Sequence, residues 1–235
     1  MDERKISICI PTYNRVNMTL DSFKDVYDDE RVSEVIIVDD ASDINIIEQL
    51  KDICDNLPKV RLYVNATNQD CYRNKMTAIS FATNDWVILL DSDNKIDKTY
   101  LERLYEIQGW DNETIYTPAF ARPHFDFRPY ENMTITKQNV AEWIDKPMAE
   151  VCLNAANYFI NTLSWLSVWD GDVDPVTSDS IFQCYNWLNA GYKIKIVKGL
   201  HYEHSVHDGS HYKNNVSRTP SGFHEKILQN LRELA

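Results

Sequence analysis

Three short runs of apolar, mostly β-branched residues each give way to polar or acidic side chains, and this recurrence constrains the chain more than any other feature. The runs are Ile6-Ser7-Ile8-Cys9-Ile10, Val35-Ile36-Ile37-Val38 and Trp86-Val87-Ile88-Leu89-Leu90. Apolar runs without alternation read as strands buried on both faces. Between them lie stretches with helical spacing. Met18, Leu20, Phe23 and Val26 mark one, Ile44 to about Asn56 a second, capped by Ser42 or Asp43, and Asn74 to Ala82 a third. Val60 to Val64 adds a further strand. This alternation predicts an α/β protein with a mostly parallel central sheet flanked by helices. The first strand is expected to stop at Pro11, with a loop to Asn17; the next two open at Asp39-Asp40 and Asp91. The C-terminal edge of such a sheet is where ligands bind.

The second half is less regular. Residues 111 to 150 are rich in aromatics and carry Pro123, Pro129 and Pro147, so strands and loops lying across the sheet edge are expected there. Asp179 to Ala190 has helical spacing (Ile181, Phe182, Tyr185, Leu188) and stops at Gly191. A strand at 194–197, a polar loop from His201 to His211 and a terminal helix from Gly222 to Leu234 complete the reading. A chain of 235 residues is expected to form one domain, with a ligand-binding half at 1–110 and a second half at 111–235.

The formal charge of −12 makes the surface repulsive to nucleic acid and anionic membrane. A polyanionic ligand would need a cation beside it. The five cysteines are odd in number and form no C-x-x-C pair, which favours reduced thiols. No leader pattern and no apolar run of about 18 residues stands in the sequence, so a soluble, cytoplasmic protein is expected.

Asp91-Ser92-Asp93 places two carboxylates where a buried strand opens into a loop. Two hard oxygen donors there suit one Mg²⁺ or Mn²⁺, which in turn would neutralise a diphosphate and make it a better leaving group. Standing alone, a D-x-D is a weak signal and reads more readily as a solvated strand-end turn. It does not stand alone: Ile8-Cys9-Ile10-Pro11-Thr12-Tyr13-Asn14-Arg15, Val35-Ile36-Ile37-Val38-Asp39-Asp40-Ala41-Ser42-Asp43, Arg73-Asn74 and Leu90-Asp91-Ser92-Asp93 follow one another in order and spacing. Together they resemble the family 2 glycosyltransferases of the GT-A (Rossmann-like) fold. The resemblance is dense over the first hundred residues and extends thinly, through Gly191-Tyr192-Lys193-Ile194 and the loop from His204 to Ser210, to about residue 210.

The resemblance implies transfer of a sugar from a nucleotide-diphosphate donor, with a uridine-based (UDP-sugar) donor favoured, to an acceptor hydroxyl on a glycan, lipid-linked sugar or other compound. It implies that the loop matching Pro11, Thr12, Tyr13 and Arg15 covers the base, with Tyr13 stacking on it, and that Asp40 accepts from it. A planar aromatic face and an acceptor for an imide N–H are what uracil needs. The alternative is that Tyr13 and Asp40 only cap the sheet edge. Arg73 matches a basic position that reaches the nucleotide, its alternative being an exposed helix-start arginine. Asp91 and Ser92 match positions at the ribose or donor sugar, and Asp93, with Asp91, the metal site. Asn94 replaces a further Asp of the family string. His207 matches a histidine that completes the metal or diphosphate site in some relatives; zinc bound by the cluster His201, His204, His207 and His211 is a weaker reading.

An inverting transferase needs a base for the acceptor hydroxyl. The resemblance implies the Asp of a Glu-Asp pair at a helix start, but here the stretch reads Thr177-Ser178-Asp179-Ser180, with Ser180 at the base position. Either Asp179 takes the role, or it passes to Asp170, Asp172 or Asp174, or Asp179 is a plain helix cap and the chain a non-catalytic nucleotide- or sugar-binding module. Sugar nucleotidyl transfer is disfavoured, because no glycine-rich phosphate loop follows the first strand. Trp110, Trp143, Trp165 and Trp169 read chiefly as core, with sugar stacking as the alternative.

Overall fold

The computed structural model describes residues 4–155 and 157–234. In chain order its elements are β1 (Ile6–Thr12), α1 (Asn17–Phe23), β2 (Val32–Asp39), α2 (Ile44–Cys54), β3 (Val60–Val64), α3 (Asp70–Ser80), β4 (Trp86–Leu89) and α4 (Lys98–Tyr105). They continue with β5 (Thr114–Arg122), β6 (Phe125–Asp126), β7 (Thr134–Ile135), α5 (Val140–Trp143), α6 (Ala149–Asn154), β8 (Phe159–Asn161) and α7 (Thr162–Ser167). The last are α8 (Asp179–Asn189), β9 (Lys193–Glu203), α9 (His211–Asn215) and α10 (Phe223–Arg232).

Nine strands form one sheet in the order β3-β2-β1-β4-β8-β5-β9-β7, with β6 paired to β5. β3, β2, β1 and β4 run parallel, and β8 is antiparallel to both β4 and β5. β5 and β9 are parallel to each other, and β7 closes the far edge antiparallel. Every residue of β1 and β4 is buried, because a parallel sheet is covered on both faces. The helix α2 contributes Ile47, Leu50 and Cys54 to that cover, three positions on one helical stripe.

The strand β1 runs through Pro11 instead of stopping there. Its pairing with β4 covers only Ser7 to Cys9, so the N–H that proline lacks would have pointed past the end of β4, and pairing with β2 continues to Thr12. The strand β9 runs on to Glu203, beyond the expected end at 197, so His201 lies in a strand and the polar loop begins later. The apparent stop at Lys198-Gly199 is a bulge: Pro118 pairs with Val197 and Phe120 with His201, and Gly199 takes a φ of 73° within the extra length. Two further differences bear on the site. The helix α3 begins at Asp70 rather than Asn74, and α4 is an element that the apolar spacing did not predict; Asp97 caps it by accepting from the N–H groups of Thr99 (2.9 Å) and Tyr100 (3.3 Å).

Trp110, Trp143 and Trp165 are buried, as expected of core residues, and Trp169 is partly exposed. Trp86, Trp110, Tyr116 and Phe159 form an aromatic cluster where β4 meets β8, with ring centroids 4.7–6.0 Å apart. All five cysteines are free. No helix among the described residues is long and apolar enough to cross a membrane.

Candidate active site

A cleft of about 1160 Å³ lies over the C-terminal ends of β1, β2 and β4. It is lined from both halves of the chain: Pro11, Thr12, Tyr13, Arg15, Asp40, Lys75, Asp91, Ser92 and Asp93 from the first, Glu150, Ser178, Asp179, Gly209 and His211 among others from the second. The carboxylates among its lining residues (Asp40, Asp70, Asp91, Asp93, Glu150, Asp179, Glu225) outnumber Arg15, Lys75, Lys213 and Arg218. Further anionic charge is therefore disfavoured there unless a cation accompanies it.

The loop after β1 is fastened to the loop after β2. The Asn14 N–H donates to Ser42 Oγ (2.7 Å), and the Asp43 N–H donates to Asn14 Oδ1 (3.0 Å). Asp39 holds the second loop by accepting from the N–H (2.8 Å) and hydroxyl (2.5 Å) of Ser42. Tyr13 is left half exposed at the cleft. Asp40, one residue on from Asp39, lines the cleft. Its Oδ1 accepts from Asn65 Nδ2 and the Gln69 N–H, both at 2.8 Å, and among the described residues none donates to Oδ2. Burial raises the Asp40 carboxyl above its ordinary range, against the lowering effect of those two donors.

Asp93 accepts from Arg15 Nη1 at 2.9 Å and lies 3.0 Å from His207 Nε2 through the same oxygen, Oδ2. Arg15 also donates to Ser92 Oγ (3.2 Å) and to the Gly209 carbonyl (2.6 Å). The structure thus brings Arg15, Ser92, Asp93 and His207 together. Asp91 turns elsewhere: its Oδ1 is 3.2 Å from Lys75 Nζ, and the same ammonium is 2.7 Å from Asp179 Oδ2. Lys75 and Asp179 are both buried. Burial works to raise the Asp179 carboxyl, but the Lys75 ammonium outweighs it and holds the group below the usual range. Burial, together with Asp93 and Asp179, pushes the Asp91 carboxyl up in spite of Lys75.

Lys75 is the residue that sequence reasoning missed. With α3 starting at Asp70, the positions Cys71, Asn74 and Lys75 share one helical face and line the cleft. Arg73 does not: its guanidinium donates to the Gly171 carbonyl (3.2 Å), and it is absent from the cleft lining. Asp170, Asp172 and Asp174 are absent from it as well. Of the clustered histidines, His204 and His211 reach the cleft, His207 faces Asp93, and His201 lies in β9. Among the described residues no group of three or more His, Cys, Asp or Glu side chains is placed to hold a metal ion. Zinc held by the histidine cluster therefore has no preformed site.

With its mixed sheet opening at the C-terminal edge of the parallel strands into this cleft, the chain has the GT-A fold of its solved neighbours. In fold the chain is similar to a mannosyltransferase from Pyrobaculum calidifontis solved in complex with GDP-Man and Mn2+, with a TM-score of 0.67 and 16% identity over 99% of this chain and 70% of that one. It is also similar to S. aureus TarS 1-349 in complex with UDP, with a TM-score of 0.63 and 13% identity over 97% of this chain and 70% of that one. Residues 7–166 match the family model for glycosyl transferase family 2, and the chain belongs to that family. Among curated relatives it is 37% identical over 73 residues to a protein named as a putative glycosyltransferase of Mycobacterium tuberculosis, and 30% identical over 103 residues to an uncharacterized glycosyltransferase of Rickettsia conorii. Those stretches are 31% and 43% of this chain but only 21% and 17% of the relatives' lengths.

Proposed function

We propose that the chain is a metal-dependent, inverting glycosyltransferase that moves a sugar from a nucleotide-diphosphate donor, a UDP-sugar by preference, to an acceptor hydroxyl. The observation that most supports this reading is that Tyr13, Asp40, Asp91 and Asp93, separated by other elements in sequence, line one cleft. Tyr13 offers a free aromatic face, and Asp40 an oxygen without a protein donor, to a base that needs stacking and an imide acceptor. Arg15 and Ser92 hold the diphosphate side. Residues 1–235 act as one transferase domain, its donor half at 1–110 assisted by His207 and Gly209.

Asp93 and His207 converge to 3.0 Å, and an oxygen and a nitrogen donor so placed fit one Mn²⁺ or Mg²⁺, with Asp91 in reserve beside Lys75. Two protein ligands leave the remainder of the shell to diphosphate oxygens and water, as is usual for Mg²⁺. Such an ion supplies charge neutralisation to the departing diphosphate. Asp179 engages the attacking hydroxyl as its base, and Lys75 keeps that carboxylate ionised for the purpose. One observation favours the second reading, a binder without turnover: no acidic side chain stands at position 180, and Asp179 is already committed to an ion pair.

The test is thermal stabilisation by uridine, guanosine, thymidine and cytidine diphosphates, with and without Mn²⁺, on the wild type and on Asp93→Ala. A metal-dependent shift for one nucleotide, abolished in the variant, is the expected result. Absence of a shift with all four would sink the donor site. Release of nucleoside diphosphate from the matching sugar donor then separates enzyme from binder.

A further inference from the structure

On the second-half wall of the cleft, three side chains form a hydrogen-bonded line that the reading above leaves unused. His224 Nε2 is 2.8 Å from Glu150 Oε1, and His224 Nδ1 is 2.8 Å from Ser178 Oγ. All three residues line the cleft. An ionised carboxylate only accepts, so the imidazole proton sits on Nε2 and donates to Glu150; Nδ1 is then the acceptor, and the Ser178 hydroxyl donates to it. Hydroxyl, imidazole and carboxylate stand in the order by which a base is oriented and a hydroxyl proton withdrawn. Ser178 immediately precedes Asp179 at the start of α8, and Val176, two residues before Ser178, holds a φ of 49°. That conformation is rare for a β-branched residue and persists only where its surroundings enforce it.

Asp179, in contrast, is poorly equipped to keep a proton. Protonation would discharge the shorter of the two ion pairs that the buried Lys75 ammonium makes, leaving it only Asp91 at 3.2 Å.

We propose that the acceptor's proton leaves through Ser178 to His224, with Glu150 holding the resulting imidazolium, while Asp179 orients the attacking hydroxyl. This rests on the transferase reading but replaces the base role given there to Asp179, which keeps only the orienting of the hydroxyl. In the step, the acceptor oxygen forms its bond to the anomeric carbon as its proton passes to Ser178 Oγ, and the Ser178 proton passes to His224 Nδ1. The bond from the anomeric carbon to the phosphate oxygen breaks, and its electron pair leaves with the diphosphate. Ser178 is the group that meets substrate, and His224 acts through it as a positioning residue.

Water serves as acceptor in sugar-donor hydrolysis, so the test needs no knowledge of the natural acceptor. Release of nucleoside diphosphate is measured for the wild type, His224→Ala, His224→Gln and Ser178→Ala, with thermal stabilisation by the nucleoside diphosphate and Mn²⁺ measured alongside. His224→Ala and His224→Gln should each lose on the order of 10²-fold in turnover with nucleotide stabilisation intact, and added imidazole should restore part of it in His224→Ala. Ser178→Ala should lose a similar factor without rescue. Turnover in His224→Ala within about twofold of wild type, or a loss that imidazole leaves unchanged, overturns the relay. If no nucleoside diphosphate stabilises the wild type and none is released from any donor, the transferase reading itself has failed, and the relay falls with it.

Discussion

Asp39 and Asp40 are sequence neighbours with opposite surroundings. Both oxygens of Asp39 are spent on Ser42, whereas Asp40 keeps one oxygen free at the cleft. Asp39→Ala should therefore cost stability, about 1–3 kcal/mol for the donors it strands, seen in denaturant unfolding. Tyr13→Ala should leave the fold intact and weaken nucleotide binding by about 1–3 kcal/mol, the range for a stacked base, read as Kd by calorimetry. That Tyr13 and Asp40 would lie at the ligand-binding edge of the sheet was legible, because both follow buried strands that end there. Lys75 was not. Its role depends on the phase of α3, and the turn that starts this helix at Asp70, where Asn68 Oδ1 accepts from the Asp70 N–H (3.0 Å), is set by loop geometry rather than by apolar periodicity.

Between elements, the buried ammonium of Lys75 joins α3 to β4 and to α8. Lys75→Met should destabilise by about 3–5 kcal/mol, because it leaves the buried Asp179 carboxylate and the part-buried Asp91 without their cation. Adding Asp179→Leu should recover part of that loss, and chemical unfolding of the single and double variants decides it. The aromatic cluster at the junction of β4 and β8 has no such compensation. Phe159→Ala should cost about 3–5 kcal/mol in the same measurement. The strands β1, β2 and β4 were readable from their uninterrupted apolar runs, which burial on both faces demands. The strand β9 was read short because its bulge at Gly199 imitates a terminus, and β7 is only two residues long, which leaves no period to detect.

At the scale of the whole molecule, the opposed carboxylates give stability a definite pH dependence. The Asp179 carboxyl lies below its ordinary range when folded, so its contribution is present above the unfolded value of about 3.9 and is lost as pH falls through the lowered value. Asp91 is raised, and its contribution runs the other way, present at low pH and lost as pH rises through its raised value. An unfolding series followed from about pH 5 down to about pH 1 should accordingly have a shallower acid limb in Asp179→Asn than in the wild type.

The sheet order carries a consequence for how the chain can be made or divided. The strand β4, whose C-terminal end leads into Asp91, has β1 on one side and β8 on the other, and β8 arrives only at residues 159–161. A ribosome that has released the first 110 residues has therefore delivered the loops after β1, β2 and β4 without the second neighbour of β4, whose unpaired backbone is a template for association with other chains. A fragment ending near residue 110 should aggregate, and one extended past residue 167, which adds β8 and α7, should show a smaller tendency to do so in light scattering. The cleft is lined from both halves of the sequence, and the sheet beneath it is likewise sewn from both.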